Sequence, residues 1–280
     1  MSYFRTILAS IWVGWHREFS WTNPAAGLAV KAIAPAASVL TASTVYWFGS
    51  SRFGNFSPNH LAYILVGAAL YFHVAAYSWV PTLAIAEGKW SYVFTHVYMS
   101  PGSSPPYLAG RCLASFVTST ITSMISLVAA YFISLVIFNT TVPLIVTPAS
   151  VTLLAVALVT NIPAAMGLGF LLSAYAIFAS KFEWALPTYV SGLLMVFSGA
   201  LFPVTVLPHP FSDAADVLPF TEFIRAARDV LIEPFSLSAY TYHIALSLTG
   251  GILFLILGLL AFRYGENRAR RSGVIYKKVV

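Results

Sequence analysis

Charge is what this 280-residue sequence has least of: fifteen Lys and Arg and nine Asp and Glu make up 9% of the chain, while 59% is hydrophobic. A typical soluble domain carries about 25% charged residues. So few charges cannot cover that much apolar surface in water, which excludes a soluble globular domain; the same apolar content excludes a disordered chain. Cysteine is nearly missing too. Cys112 stands alone, so there is no internal disulfide and no multi-cysteine zinc site. Phosphate-binding loops are absent: the chain has neither a Walker A motif nor G-x-G-x-x-G, so it cannot hydrolyse ATP by that route. The histidines (His16, His60, His73, His96, His209 and His243) form no H-E-x-x-H, and no Gly-x-Ser-x-Gly elbow occurs. Asp213 and Asp216, three positions apart just after Pro208 and Pro210, read better as dipole-favoured acids at a helix start than as metal ligands.

What is present is apolar length. A crossing of the hydrocarbon core needs about 20 apolar residues. Six stretches qualify: 27–48, 60–83, 106–138, 148–178, 185–207 and 240–262. Their unbroken runs, such as Gly250–Phe262, argue against the alternating strands of a β-barrel. The expected fold is an all-α integral membrane protein with six transmembrane helices in a single domain spanning 1–280. Pro163 is expected to kink the fourth span. Gly167-x-Gly169 reads as close helix packing.

Basic residues set the orientation. With the N-terminus inside, Arg5, Arg17, Lys89, Arg111, Lys181 and the six basic residues of the 263–280 tail lie on the cytoplasmic side, 11 of the 15. Arg52, Arg225 and Arg228 lie outside, and Lys31 stands near the start of the first span. Both termini are therefore expected to be cytoplasmic, in a multi-pass protein of the plasma membrane. The net charge of +6 then reads as a topology signal and a contact with phospholipid headgroups rather than a nucleic-acid surface.

Residues 1–22 are interrupted by Arg17 and Glu18, unlike a cleavable signal. Phe4, Ile7, Leu8, Ile11, Trp12, Trp15 and Phe19 fall at helical spacing, as in an interfacial helix that either anchors or also transmits force. The spans hold almost no ionisable residue, which argues against ion coupling. His73 is the exception and reads as a satisfied buried histidine.

Two segments carry more. In 84–104, Glu87 and Gly88 open a short amphipathic stretch with Trp90, Val93, Phe94 and Val97 on one face, closed by Pro101. It is an interfacial loop helix or a cytoplasmic docking helix for a soluble subunit. In 208–239 and the residues just before, Gly199, Pro203, Pro208, Pro210 and Pro219 cut the chain into short pieces. They form an outer re-entrant helix pair, or an ordinary loop with one surface helix.

Together these segments resemble the membrane subunits of type-2 ABC transporters of the export class. Gly88, Trp90 and Ser100-Pro101 match that family's motif after span two, with Lys89 and Ser91 departing from it. Ser198-Gly199, Phe202-Pro203, Leu207-Pro208, Leu218-Pro219 and Arg225/Arg228 match its signature after span five in order. The resemblance implies a permease that pairs with a second permease copy or a paralogue and with a separate cytoplasmic ATPase. ATP and Mg would bind on that partner and no cofactor on this chain. It also implies that Glu87, Gly88, Lys89, Trp90, Tyr92, Phe94 and Pro101 dock the ATPase. Gly199, Phe202, Pro203, Pro208, Pro219, Arg225 and Arg228 would build the outer gate. Thr41, Ser43, Thr44, Tyr189, Met195 and Phe197 would line the path, unless they are ordinary packing. The low buried charge favours a hydrophobic or amphipathic substrate, drug-like or lipid. Aromatic content of 15% leaves a polysaccharide or lipid-linked glycan as the second choice. The rivals are a stand-alone secondary transporter or channel, and a scaffold or an enzyme with an unrecognised site.

Overall fold

The computed structural model describes residues 3–19, 23–54, 57–91, 93, 96–97, 104–137, 139, 141–179, 182–232 and 234–273. Its helices are α1 (Tyr3–Phe19), α2 (Pro24–Phe53), α3 (Pro58–Trp90), α4 (Ser104–Ile137), α5 (Pro148–Thr160), α6 (Ile162–Phe178), α7 (Ala185–Phe197), α8 (Phe211–Asp216), α9 (Pro219–Leu231) and α10 (Leu237–Ser272), with a 3-10 turn at Val204–Val206. Among the described residues there is no strand, only an isolated antiparallel bridge between Leu144 and Ile232.

The helix ends follow from local chemistry. Proline opens α2, α3, α5 and α9, where its missing N–H costs nothing. The Asn23 side chain accepts from the Ala25 amide at 3.0 Å. Thr147 and Ser150 form a reciprocal capping box on α5. Gly54 and Gly273 close α2 and α10 in the left-handed conformation that glycine adopts without strain.

By length and composition, α2, α3, α4, the α5–α6 pair and α10 can each cross a membrane, and α7 is a shorter apolar helix. This is a multi-pass, all-helical membrane architecture. The helices run alternately between two ends of the bundle. At the α1 end meet α1, the starts of α2 and α4, and the last turns of α3 and α6, joined by Arg17–Glu87, Glu18–Lys31 and Lys89–Ala176 contacts. At the α9 end meet α9, the tip of α7 and the start of α3, joined by Arg228 to Tyr63 and Gly199.

Two sequence expectations change. The stretch 185–207 is not one helix: it stops at Phe197, Gly199 adopts φ 66, and a 3-10 turn follows Pro203. The expected kink at Pro163 is a break two residues earlier. Asn161 forms a turn between α5 and α6, and Pro163 sits in the first turn of the new helix, where its ring is tolerated.

Lipid tails are as apolar as leucine, so packing in a membrane rests on close approach and buried hydrogen bonds. A close seam joins α6 to α10: a Cβ built on Gly167 would stand 2.3 Å from the Phe254 carbonyl carbon, and one on Gly258 2.2 Å from the Gly167 oxygen. Another joins α1 to α4, where a Cβ on Gly14 would stand 2.6 Å from Ala114 Cβ and one on Gly110 2.5 Å from Ser10 Cβ. The apolar residues of α1 therefore divide. Phe19 packs inward with Ser10 and Gly14, while Phe4, Leu8 and Trp12 remain exposed on the outer surface. Long exposed apolar faces on α2 (Val30, Ile33, Val45, Phe48) and α10 (Ile252, Leu253, Ile256, Leu260) need lipid or protein against them.

Candidate functional site

At the α1 end, the last turn of α3 is tied down on two sides. Glu87 accepts from Arg17 of α1 at 2.5 Å and stands 3.9 Å from Arg111 of α4. Gly88 is buried. Lys89 donates to the carbonyls of Ala176 and Ala179, at 2.7 and 2.8 Å, at the end of α6. Carbonyls at a helix C-terminus are the ones an α-helix leaves for outside donors, and a cation there also meets the negative end of the helix dipole. Glu183 lies beside Lys89 and Trp90, and burial raises its carboxyl above the usual range while both neighbours pull it down. Trp90 itself is 70% exposed. The expected docking residues thus separate: Glu87, Gly88 and Lys89 join α3 to α1, α4 and α6, and Trp90 projects. Tyr92, Phe94 and Pro101 lie outside the described residues.

At the α9 end, Arg228 is the centre. Burial pulls its guanidinium down to about 10. It donates to Gly199 O at 2.8 Å, Ala200 O at 2.7 Å and twice to Tyr63 O at 3.1 and 3.2 Å, and its Cζ lies 3.4 Å from the centre of the Tyr63 ring. Four planar donors reach three carbonyls, a geometry that a lysine cannot copy. Gly199 and Gly67 make room: a Cβ on Gly67 would clash with both Ala200 O and the Arg228 guanidinium. Arg225 bridges Glu222 at 2.7 Å and Asp216 at 2.6 Å. The buried Glu222 also meets His243 of α10, which in turn faces Asp229 at 3.7 Å. Burial is the main cause holding the Asp229 carboxyl above its ordinary range. Pro219 opens α9, and Thr221 of that helix donates to Phe197 O at 2.9 Å. Phe202 is half-buried, while Pro203 and Pro208 are exposed. Gly199, Pro219 and Arg228 thus help hold a short, almost wholly buried helix against α3, α5 and α10, with Thr221 reaching the end of α7.

Between these ends a groove runs along α2, α3, α4 and α7. Its middle is a cavity of about 500 Å³, walled by Tyr71, Phe72 and Trp79 of α3, Ser115 and Thr122 of α4, and Met195. Toward the α9 end a second cavity of about 540 Å³, lined by Thr41, Val45, Ile64 and Leu201, shares Ser38 and Met195 with the first. Thr41 and Met195 therefore line the groove. Ser43 does not: it is fully buried and donates to Val39 O. Thr44 is exposed with its hydroxyl on Leu40 O, Tyr189 is exposed, and Phe197 meets the Phe211 ring at a tilt, 6.1 Å between centroids. His73 is fully buried; Tyr77 bonds Nε2, and Ser119 bonds Nδ1 at 3.0 Å.

Three groups are not singled out by the sequence. Arg111 reads there only as a topology charge, and its burial depends on α1 lying over it. The hydroxyls of α4 (Ser115, Thr118, Ser119, Thr122, Ser126) repeat at three- and four-residue spacing, a legible polar stripe on a span. The Glu222–His243 pair spans 21 positions and leaves no local signal. Among the described residues no cluster of three His, Cys, Asp or Glu could hold a metal.

No curated protein matches the chain. A family model described as ABC-2 type transporter matches residues 9–232, which takes in most of α1, the end of α3, the groove, and Arg228 with the three residues whose carbonyls it holds. The chain therefore belongs to the ABC-2 type transporter family, as a membrane permease subunit.

Proposed function

We propose that this permease is the membrane half of an ATP-driven exporter, powered by a separate cytoplasmic ATPase that binds ATP and Mg, and that it works as a pair of permease copies or paralogues. In this reading α7 completes a set of six crossings, with residues 198–207 carrying the chain on from its tip. α1 lies in the inner interface, both termini are cytoplasmic and the membrane is the plasma membrane. The exposed faces of α2 and α7, which flank the groove, meet the second permease, and α9 with its flanking turns acts as the outer gate. The substrate is hydrophobic or amphipathic, a lipid or drug-like molecule, which the apolar walls of the groove favour over a polysaccharide.

The observation that carries this reading is the last turn of α3. Trp90 is a large apolar side chain left 70% exposed, while its neighbours Glu87 and Lys89 are bonded to α1 and α6. A soluble subunit that grips Trp90 and the following segment moves three elements at once. Only a difference in those contacts between nucleotide states can shift the bundle. The test is co-purification of the ATPase with the chain, followed by ATP-dependent export from vesicles. Deleting residues 88–98 is expected to abolish both; retention of both would overturn the docking assignment.

A further inference from the structure

At the α1 end the groove continues into a third cavity of about 270 Å³, lined by Arg17, Glu18, Lys31, Val80, Leu83, Glu87 and Arg111. Glu18, Lys31 and Val80 also line the 500 Å³ cavity, so the three spaces follow one another from the α1 end to the α9 end. Their walls grade in character, from charged, through hydroxyls and aromatic rings, to Val45, Ile64 and Leu201.

The charged end is not balanced. Three cations face two carboxylates, and the pairs are Arg17 with Glu87 at 2.5 Å and Lys31 with Glu18 at 2.5 Å. Arg111 is left over. It is 5% exposed, its nearest carboxylate oxygen is 3.9 Å away, and its Nε and Nη1 have no hydrogen-bond partner among the described residues. A buried guanidinium so weakly compensated is a costly arrangement that an added anion relieves. Guanidinium and ammonium groups together match phosphate oxygens, the first as a fork and the second as a point charge. The exposed Phe4, Leu8 and Trp12 on α1 place this end where aromatic side chains meet lipid headgroups.

We infer that this chain binds, as its transported substrate, an amphiphile with a phosphate-bearing headgroup. Its phosphate sits among Arg111, Lys31 and Arg17, and its apolar tail lies along the groove past Ser38 and Met195. The inference deepens the export reading and rests on it for the word transported.

The probe is radiolabelled dodecyl phosphate, bound to the full-length chain in phosphatidylcholine nanodiscs, with dodecanol as the uncharged control. Dodecyl phosphate should bind saturably and at least about tenfold more tightly than dodecanol. Arg111→Gln and Lys31→Gln should each remove most of that preference and leave dodecanol binding unchanged. Met195→Trp should weaken both ligands. Equal binding of the two ligands, or unchanged preference in both charge variants, would overturn the headgroup site. Displacement by millimolar inorganic phosphate would show a free-anion site and overturn the amphiphile. Phosphatidic acid in the nanodisc that blocks the site, together with no ATP-driven flux of dodecyl phosphate while a neutral amphiphile is exported, would mark a structural lipid and overturn the substrate assignment. Binding needs no ATPase. Intact binding with no ATP-driven flux of any amphiphile therefore counts against the export reading alone.

Discussion

Replacing Arg228 removes the most connected side chain of the α9 end. In Arg228→Ala the carbonyls of Tyr63, Gly199 and Ala200 lose a charged donor, and the Tyr63 ring loses the cation above it. A hydrogen bond to a charged group is worth about 1.5–3 kcal/mol. Water entering the vacated space restores part of three such bonds, which leaves a loss of about 3–5 kcal/mol. For a chain of this size each kcal/mol moves the midpoint by about 2–4 °C, so a fall of roughly 6–20 °C is expected. Cys112 supplies the assay: it is the chain's one cysteine and 4% exposed, so a thiol-reactive dye reports unfolding of the bundle without further engineering. Arg228→Lys keeps the charge but not the fork and should fall between alanine and wild type. Arg271→Ala, on the exposed last turn of α10, should shift the midpoint by no more than about 1 °C. If Arg228→Ala melted with wild type, or no lower than Arg271→Ala, the claim that Arg228 holds α9 to α3 and α7 would fail.

Gly167→Leu and Gly258→Leu should each prevent recovery of folded protein, because no side chain fits the α6–α10 seam, whereas Gly192→Ala, whose added methyl would meet nothing within 4 Å, should melt as wild type; size-exclusion profiles decide this. Lys89→Met should lower the thiol-dye midpoint by roughly 2–8 °C, since two terminal carbonyls of α6 lose their donor, worth about 1–2 kcal/mol after solvent partly replaces it. The Asp229 carboxyl holds its proton more tightly in the fold than in the unfolded chain, so its contribution is fully present below the ordinary aspartate range and is lost as pH rises through the raised native value. Asp229→Asn should therefore melt higher than wild type at neutral pH and converge with it in acid; a variant that melts lower at neutral pH would show that the His243 contact outweighs burial.

The sequence announces the class of molecule through its poverty of charge, and the long apolar runs become the helices that can cross a membrane. Proline sets many helix starts through local backbone geometry: Pro24, Pro58, Pro148 and Pro219 all open helices, the first two a few residues before the apolar runs begin at 27 and 60. The length of α7 is only half legible. Gly199 and Pro203 read as breaks, yet the residues after Phe197 are apolar enough to be counted into the span, and the contact of the Gly199 carbonyl with Arg228, 29 positions away, leaves no local signal. The α1 stripe is legible as amphipathic, but its inward seam is not, since Ser10 and Gly14 carry no hydrophobic signal and matter for their small size. Arg111 shows the same limit. Its charge is visible in the sequence and its isolation is not, because that depends on where α1, α3 and α4 meet.

In the proposed export cycle, motion enters through the end of α3 from an ATPase outside this chain. Amphiphile flux in proteoliposomes containing the chain, with and without the ATPase, tests it most directly. Flux should require both ATP and the ATPase, and Trp90→Ala should reduce turnover several-fold while leaving amphiphile binding to the chain unchanged. Equal flux by the purified chain alone, driven by an ion gradient and indifferent to Trp90→Ala, would contradict it.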